Sequence, residues 1–167
     1  MFYLIFILGL ICSVINDKRK IIFIFFSSAL AILAYLRYGI GADFFAYQYL
    51  YSRLSDSLIT ELYYGLDNQE LGFRLIGSFF KSLNVPYQGY ISIIASINLF
   101  FVFKTCKNFS KNPTLSMLLY FCFYYLVWTF SGLRQGLTLS IGIYYLLKYI
   151  NNRKIIKFTS IIILLSF

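Results

Sequence analysis

YQGYISIIASINLFFVF, Tyr87–Phe103, runs without a charge and then meets Lys104, Lys107 and Lys111. An apolar stretch of this length that ends in lysines reads as a membrane-crossing helix whose positive end faces the cytoplasm. Four further, largely apolar stretches read as candidate spans: Phe2–Ile15, Ile21–Leu36, Thr114–Phe130 and Leu133–Ile150. A sixth begins at Ile155 and is cut short by the chain end. At about 1.5 Å of rise per residue, so short a stretch covers only about 20 Å of a bilayer core of about 30 Å. The first two runs are also short, so flanking residues or local bilayer thinning must help them span. The expected fold is an all-α polytopic transmembrane bundle. It has about five full spans, a truncated sixth and one outer helix, and it forms a single integral membrane domain over residues 1–167, incomplete at its C-terminus.

Composition agrees. The 167 residues are 60% hydrophobic, and the mean hydropathy is +0.74, which argues against a soluble domain. The net charge of +9 forms no basic stripe on a soluble face, so it points to membrane topology and not to nucleic acid. The run Met1–Ile15 has no basic region before it and Asp17-Lys18-Arg19-Lys20 after it. That order predicts a retained first helix with its N-terminus outside, not a cleaved leader. There is no histidine, and Cys12, Cys106 and Cys122 are isolated. These facts argue against a zinc site or a disulfide framework.

Lysine placement sets the orientation. With Lys18, Arg19 and Lys20 inside, the Lys104–Lys111 and Arg153–Lys157 groups fall inside as well. This holds only if Gly72–Leu83 does not cross. That segment carries Arg74 and Lys81, stops before Asn84-Val85-Pro86, and reads as an amphipathic or re-entrant helix on the outer side. Asp43, Asp56, Glu61, Asp67 and Glu70 then gather in the outer stretch Arg37–Glu70. Arg37, Arg53, Arg74 and Arg134 lie on the same side, and guanidinium grips carboxylate or phosphate with two parallel hydrogen bonds. An anion-handling site on the outer face is the expectation.

Three segments supply it. In Arg37-Tyr38-Gly39-Ile40-Gly41-Ala42-Asp43, Gly39 and Gly41 allow an anion-binding nest beside Arg37, and Asp43 is placed to orient Arg37 or take a proton. The plainer account has Arg37 facing the C-terminal dipole of its own helix, with glycine as the stop. In Ser131-Gly132-Leu133-Arg134-Gln135, Ser131 reads as an N-cap that places Arg134 in the first turn of the next helix. A cation is unfavourable there unless an anion sits between it and the helix N-terminus. In Gln69-Glu70-Leu71-Gly72-Phe73-Arg74, the i,i+4 spacing predicts a Glu70–Arg74 helical salt bridge. The alternative makes Glu70 a base or a sugar-hydroxyl acceptor. The outer tyrosines suit sugar rings but are read first as an interfacial belt. The small residues Gly132, Gly136, Ser140 and Gly142 are read as helix-packing faces.

Arg37-x-Gly39-x-Gly41-x-Asp43, with Tyr47 following, resembles the first signature of the EpsG-like family of bacterial multi-pass proteins related to Wzy-type O-antigen and exopolysaccharide polymerases. Glu70-x-Gly72-Phe73 and Leu133-Arg134-Gln135 resemble two more, in the family's order. The resemblance implies a membrane glycosyltransferase that joins repeat units carried on polyprenyl diphosphate, outside the cytoplasmic membrane. Arg134, Arg37, Asp43 and Glu70 are then the catalytic candidates, the arginines meeting the diphosphate. Gly39, Gly41, Tyr47, Arg74 and Gln135 are the substrate-binding candidates. No cofactor, metal or nucleic acid is implied. The expected partners are the lipid-linked glycan, the bilayer, and chain-length or export proteins. A flippase for the same lipid, or a non-catalytic export subunit, remains as an alternative reading.

Overall fold

Local signals set the helix ends. Asn112 caps the helix that follows it, its Oδ1 accepting from the Leu115 N–H at 2.8 Å, and Pro113 occupies the first turn, where no N–H is needed. Asn84 takes a left-handed φ of 56° and stops the preceding helix, and Pro86 opens the next. The computed structural model describes residues 2–15, 20–64 and 70–152, and within them every regular element is helical. These are α1 (Phe2–Ile15), α2 (Lys20–Tyr35), α3 (Phe44–Arg53), α4 (Leu58–Tyr64), α5 (Leu71–Ser82), α6 (Tyr87–Phe109), α7 (Pro113–Tyr120), a π-helical segment (Phe121–Ser131) and α8 (Leu133–Asn152). Asp17, Lys18, Arg19, Asp67, the Arg153–Lys157 basic group and the run starting at Ile155 lie outside the described residues.

α6 packs chiefly on α8 and also on α2 and α7, while α1 lies against α7. Two apolar clusters fill the interior. One joins α2, α6, α7 and the π segment around Phe26, Leu30, Ala95, Met117 and Tyr125. The other joins α3, α6 and α8 around Phe44, Tyr51, Tyr90, Ile91 and Leu133.

The span expected at Thr114–Phe130 is a single rod of two helix types. Its π character shows at the exit, where Gly132 N–H reaches back five residues to Val127 O at 2.7 Å. Among the described residues, Tyr87–Phe109 and the continuous Pro113–Ser131 are long and apolar enough to cross a membrane. Phe2–Val14 and Ile21–Tyr35 are apolar but shorter. The expected span Leu133–Ile150 forms a 20-residue helix that does not reach the same apolarity, because Arg134, Gln135 and Lys148 interrupt it. Two of the five expected spans therefore meet both criteria.

The outer helix expected at Gly72–Leu83 is α5, and its sidedness is the reverse of a soluble helix. Arg74, Gly77 and Ser78 are buried, while Ile76, Phe79 and Leu83 are exposed. Polar groups turned inward and apolar ones outward suit a lipid surroundings. Charge is sorted along the α6–α8 pair as well. Lys104 and Lys148 both lie over the Tyr144 ring, at 6.0 and 5.7 Å from its centroid, toward the end opposite Arg134.

Candidate functional site

Arg37 leaves α2 two residues past its end and is 2% exposed. Its Nη1 donates to Thr129 O at 2.5 Å, and its guanidinium lies 4.9 Å from the centroid of the Phe130 ring. Thr129 is in the last turn of the π segment, where carbonyls lack a helical partner and the dipole is negative. Arg37 therefore caps a helix far along the chain, not the end of its own. Burial lowers its pKa from the usual arginine value, and its Nε has no hydrogen-bond partner. The neighbouring carbonyl, Trp128 O, is met in the same way by Asn98 Nδ2 at 3.1 Å.

The glycine loop docks on the same turn. Ala42 N–H donates to Ser131 Oγ at 3.2 Å. Gly41 has φ +116°, and a Cβ there would lie 2.7 Å from Phe130 O. Glycine is required twice over, for the dihedral and for the close approach. Gly39, at φ +65°, is not crowded: a Cβ there would make an ordinary contact with the Phe45 ring at 3.9 Å. Ser131 is consequently not the N-cap expected of it: Gly132 precedes α8, and the Ser131 hydroxyl is turned to Ala42. Gln88 completes the junction by donating from Nε2 to Arg37 O and, at 3.4 Å, to Tyr35 O.

Arg134 does lie in the first turn of α8. Its Nη1 pairs with Glu70 Oε2, its guanidinium lies 6.0 Å from the Phe73 ring centroid, and the Tyr47 hydroxyl is beside it. The side chains of Arg134 and Glu70 are 36% and 58% exposed, so the pair is open to a ligand. The Glu70 carboxyl is held below its ordinary range, first by its own backbone N–H and then by Arg134. Gln135 is exposed on the same turn. Asp43 is exposed at the N-terminal boundary of α3.

Two expectations change here. The i,i+4 spacing of Glu70 and Arg74 does not produce their salt bridge. Arg74 Nε bonds Glu61 Oε1 at 2.9 Å and its Nη2 bonds Glu61 O at 2.7 Å, with both side chains nearly inaccessible. Glu70 starts α5 with its carboxylate free to reach α8, while Arg74 points to the buried side, where α4 packs. Arg74 thus serves the packing of α5 on α4. Secondly, Arg37 and Arg134 occupy different surroundings, one a buried turn and the other a half-exposed rim. They are joined through the turn Thr129–Leu133.

Sequence reading missed Thr129, Gln88 and Asn98. Asn98 carries a usable signal, since an amide inside a long apolar run is costly and needs a reason. Thr129 carries none, because a backbone carbonyl is what matters there. Among the described residues, no cluster of three or more potential metal ligands occurs.

No curated protein and no solved structure matches the chain. The EpsG family matches residues 20–167, a range that holds all three motifs and the turn on which two of them meet, and the chain belongs to the EpsG family.

Proposed function

We propose that this chain is a polytopic polysaccharide polymerase in the cytoplasmic membrane of a bacterium, its N-terminus outside. It joins glycan repeat units borne on polyprenyl diphosphate at the outer face. Family membership supports the polymerase class. The observation that carries the assignment is the half-exposed Arg134–Glu70 pair at the start of α8, set on a turn that the Arg37–Asp43 loop holds from behind.

A pair at this exposure is a resting arrangement. A diphosphate offers Arg134 more charge than one carboxylate does, and the α8 N-terminus adds unpaired N–H groups. Arg134 then stabilises the charge that grows on the leaving group. An acceptor hydroxyl oxygen bonds to the anomeric carbon of the carrier-linked sugar. The bond from that carbon to the diphosphate oxygen breaks, and its electron pair leaves with the carrier. The hydroxyl proton passes to Asp43, which lies one residue past the Ala42–Ser131 hydrogen bond. Glu70 is already engaged, its Oε2 taken up in the pair with Arg134. It parks Arg134 instead. Tyr47, Phe73 and Gln135 line the approach, Gly39 and Gly41 shape the loop, and Arg37 is a positioning residue. Chain-length and export proteins are the partners this role calls for.

The test uses the full-length protein and purified lipid-diphosphate-linked repeat units. Arg134→Ala and Arg134→Lys both lose elongation, since lysine lacks the bidentate fork, and Asp43→Asn loses it while still binding the lipid. Normal polymer from Arg134→Ala overturns the assignment. Purified wild-type protein that binds the lipid but forms no glycosidic bond returns the chain to the transporter reading.

A further inference from the structure

A cavity of about 330 Å³ lies between α6, the α7–π rod and α8, within the size range of small-molecule sites. Among the described residues its lining is overwhelmingly apolar and holds no charged side chain, with Val102, Leu119, Trp128 and Ile143 among the walls. Leu119 and Tyr124 are about half exposed, so the cavity reaches the outer surface of the bundle. Asn98 also lines it, 11 residues along α6 from Tyr87, or about 16 Å at the rise of a helix.

Asn98 is 1% exposed and its Oδ1 has no hydrogen-bond partner. The amide cannot simply be turned over: Trp128 O is an acceptor and requires the N–H face, which it receives at 3.1 Å. Asn98, in the cavity wall, therefore keeps a fixed, buried acceptor without a donor. An apolar occupant bringing a single O–H would satisfy it, and among the described lining residues an occupant with a charge would find no opposite charge to pair with. Asn98 Nδ2 also lies 3.4 Å from Tyr120 OH, which shares a hydrogen bond of 2.9 Å with Thr129 Oγ1. Thr129 is the residue that Arg37 caps.

We infer that this cavity is a binding site for an uncharged long-chain lipid alcohol, its hydroxyl donating to Asn98 Oδ1 and its hydrocarbon filling the apolar space. The occupant touches the Asn98–Tyr120–Thr129 chain behind the outer site, so its presence stiffens the turn that carries Arg134. The site is separate from the one proposed for the diphosphate, and it stands whether or not that proposal does. Two membrane components share this chemistry, diacylglycerol and a linear isoprenoid alcohol.

The full-length protein in nanodiscs of synthetic phosphatidylcholine is labelled with a photoreactive long-chain alcohol and with its methyl ether, which lacks the donor. The alcohol labels residues 98–106 and 116–128 saturably, and about tenfold more strongly than the ether, the ratio expected for one hydrogen bond. Unlabelled diacylglycerol or isoprenoid alcohol competes, and whichever does so identifies the source. Ser140→Phe, which fills the cavity from α8 and spares both Asn98 hydrogen bonds, abolishes labelling in protein that still runs as wild type on gel filtration. Equal labelling by alcohol and ether, competition by neither lipid, or undiminished labelling of folded Ser140→Phe overturns the inference.

Discussion

The Arg37 guanidinium holds the carbonyl of Thr129, 92 residues further along the chain, and covers the Phe130 ring beside it. Through this contact the first motif supports the third from behind. Arg37 meets the negative end of the π segment, and that segment's exit launches α8 with Arg134 in its first turn.

If Arg37 is a positioning residue, its loss is felt first in stability. Arg37→Met leaves Thr129 O unpaired in a buried turn and costs about 1–3 kcal/mol. Arg37→Lys keeps the charge at the helix end and falls between Met and wild type. Thermal unfolding in detergent reads the order. Loss of lipid-diphosphate affinity at an unchanged unfolding temperature would instead put Arg37 on the ligand.

The two glycines of the loop are expected to separate cleanly. Gly39→Ala makes only an ordinary contact with the Phe45 ring and costs its left-handed dihedral, about 1–2 kcal/mol. Gly41→Ala adds a Cβ 2.7 Å from Phe130 O to a strained dihedral, for about 2–4 kcal/mol. Equal destabilisation of the two variants would mean that the loop does not dock on Phe130.

Glu61 and Arg74 form a buried ion pair that ties α4 to α5. Glu61→Leu alone takes the carboxylate from a buried guanidinium and destabilises by about 3–5 kcal/mol. The double variant Glu61→Leu with Arg74→Met recovers most of that loss, since two apolar groups leave no charge uncompensated. A double-mutant cycle by denaturant titration measures the coupling. Additive single effects would contradict a direct pair.

The Glu70 carboxyl has a folded pKa below its ordinary value of 4.5. For a depressed carboxyl the stabilisation is present above the unfolded pKa and is lost as pH falls through the folded one. The unfolding-temperature difference between wild type and Glu70→Gln should hold steady from neutral pH to about pH 5 and vanish below the ordinary glutamate range. A difference that grows with acidity would have the wrong sign.

Much of this molecule is legible in one dimension. Continuous apolar runs, Asn112-Pro113 and Asn84-Val85-Pro86 mark helices and their ends, because caps and breakers act within a turn of themselves. The helix over Gly72–Leu83 and Arg134 in a first helical turn follow from local spacing too. The partners of the charged groups do not. Spacing pairs Glu70 with Arg74, yet Arg74 takes Glu61 and Glu70 takes Arg134, because which face of α5 is buried depends on how α4 and α8 pack against it.

The order of the long apolar runs, the family signatures and the placing of an arginine in the first turn of a helix were determined by sequence alone, since each rests on residues close along the chain. Tertiary structure decided that Arg37 is buried under Thr129, that Gly41 is pressed against Phe130, and that Asn98 faces a cavity. Those facts turn on backbone carbonyls and void space, which no residue letter encodes.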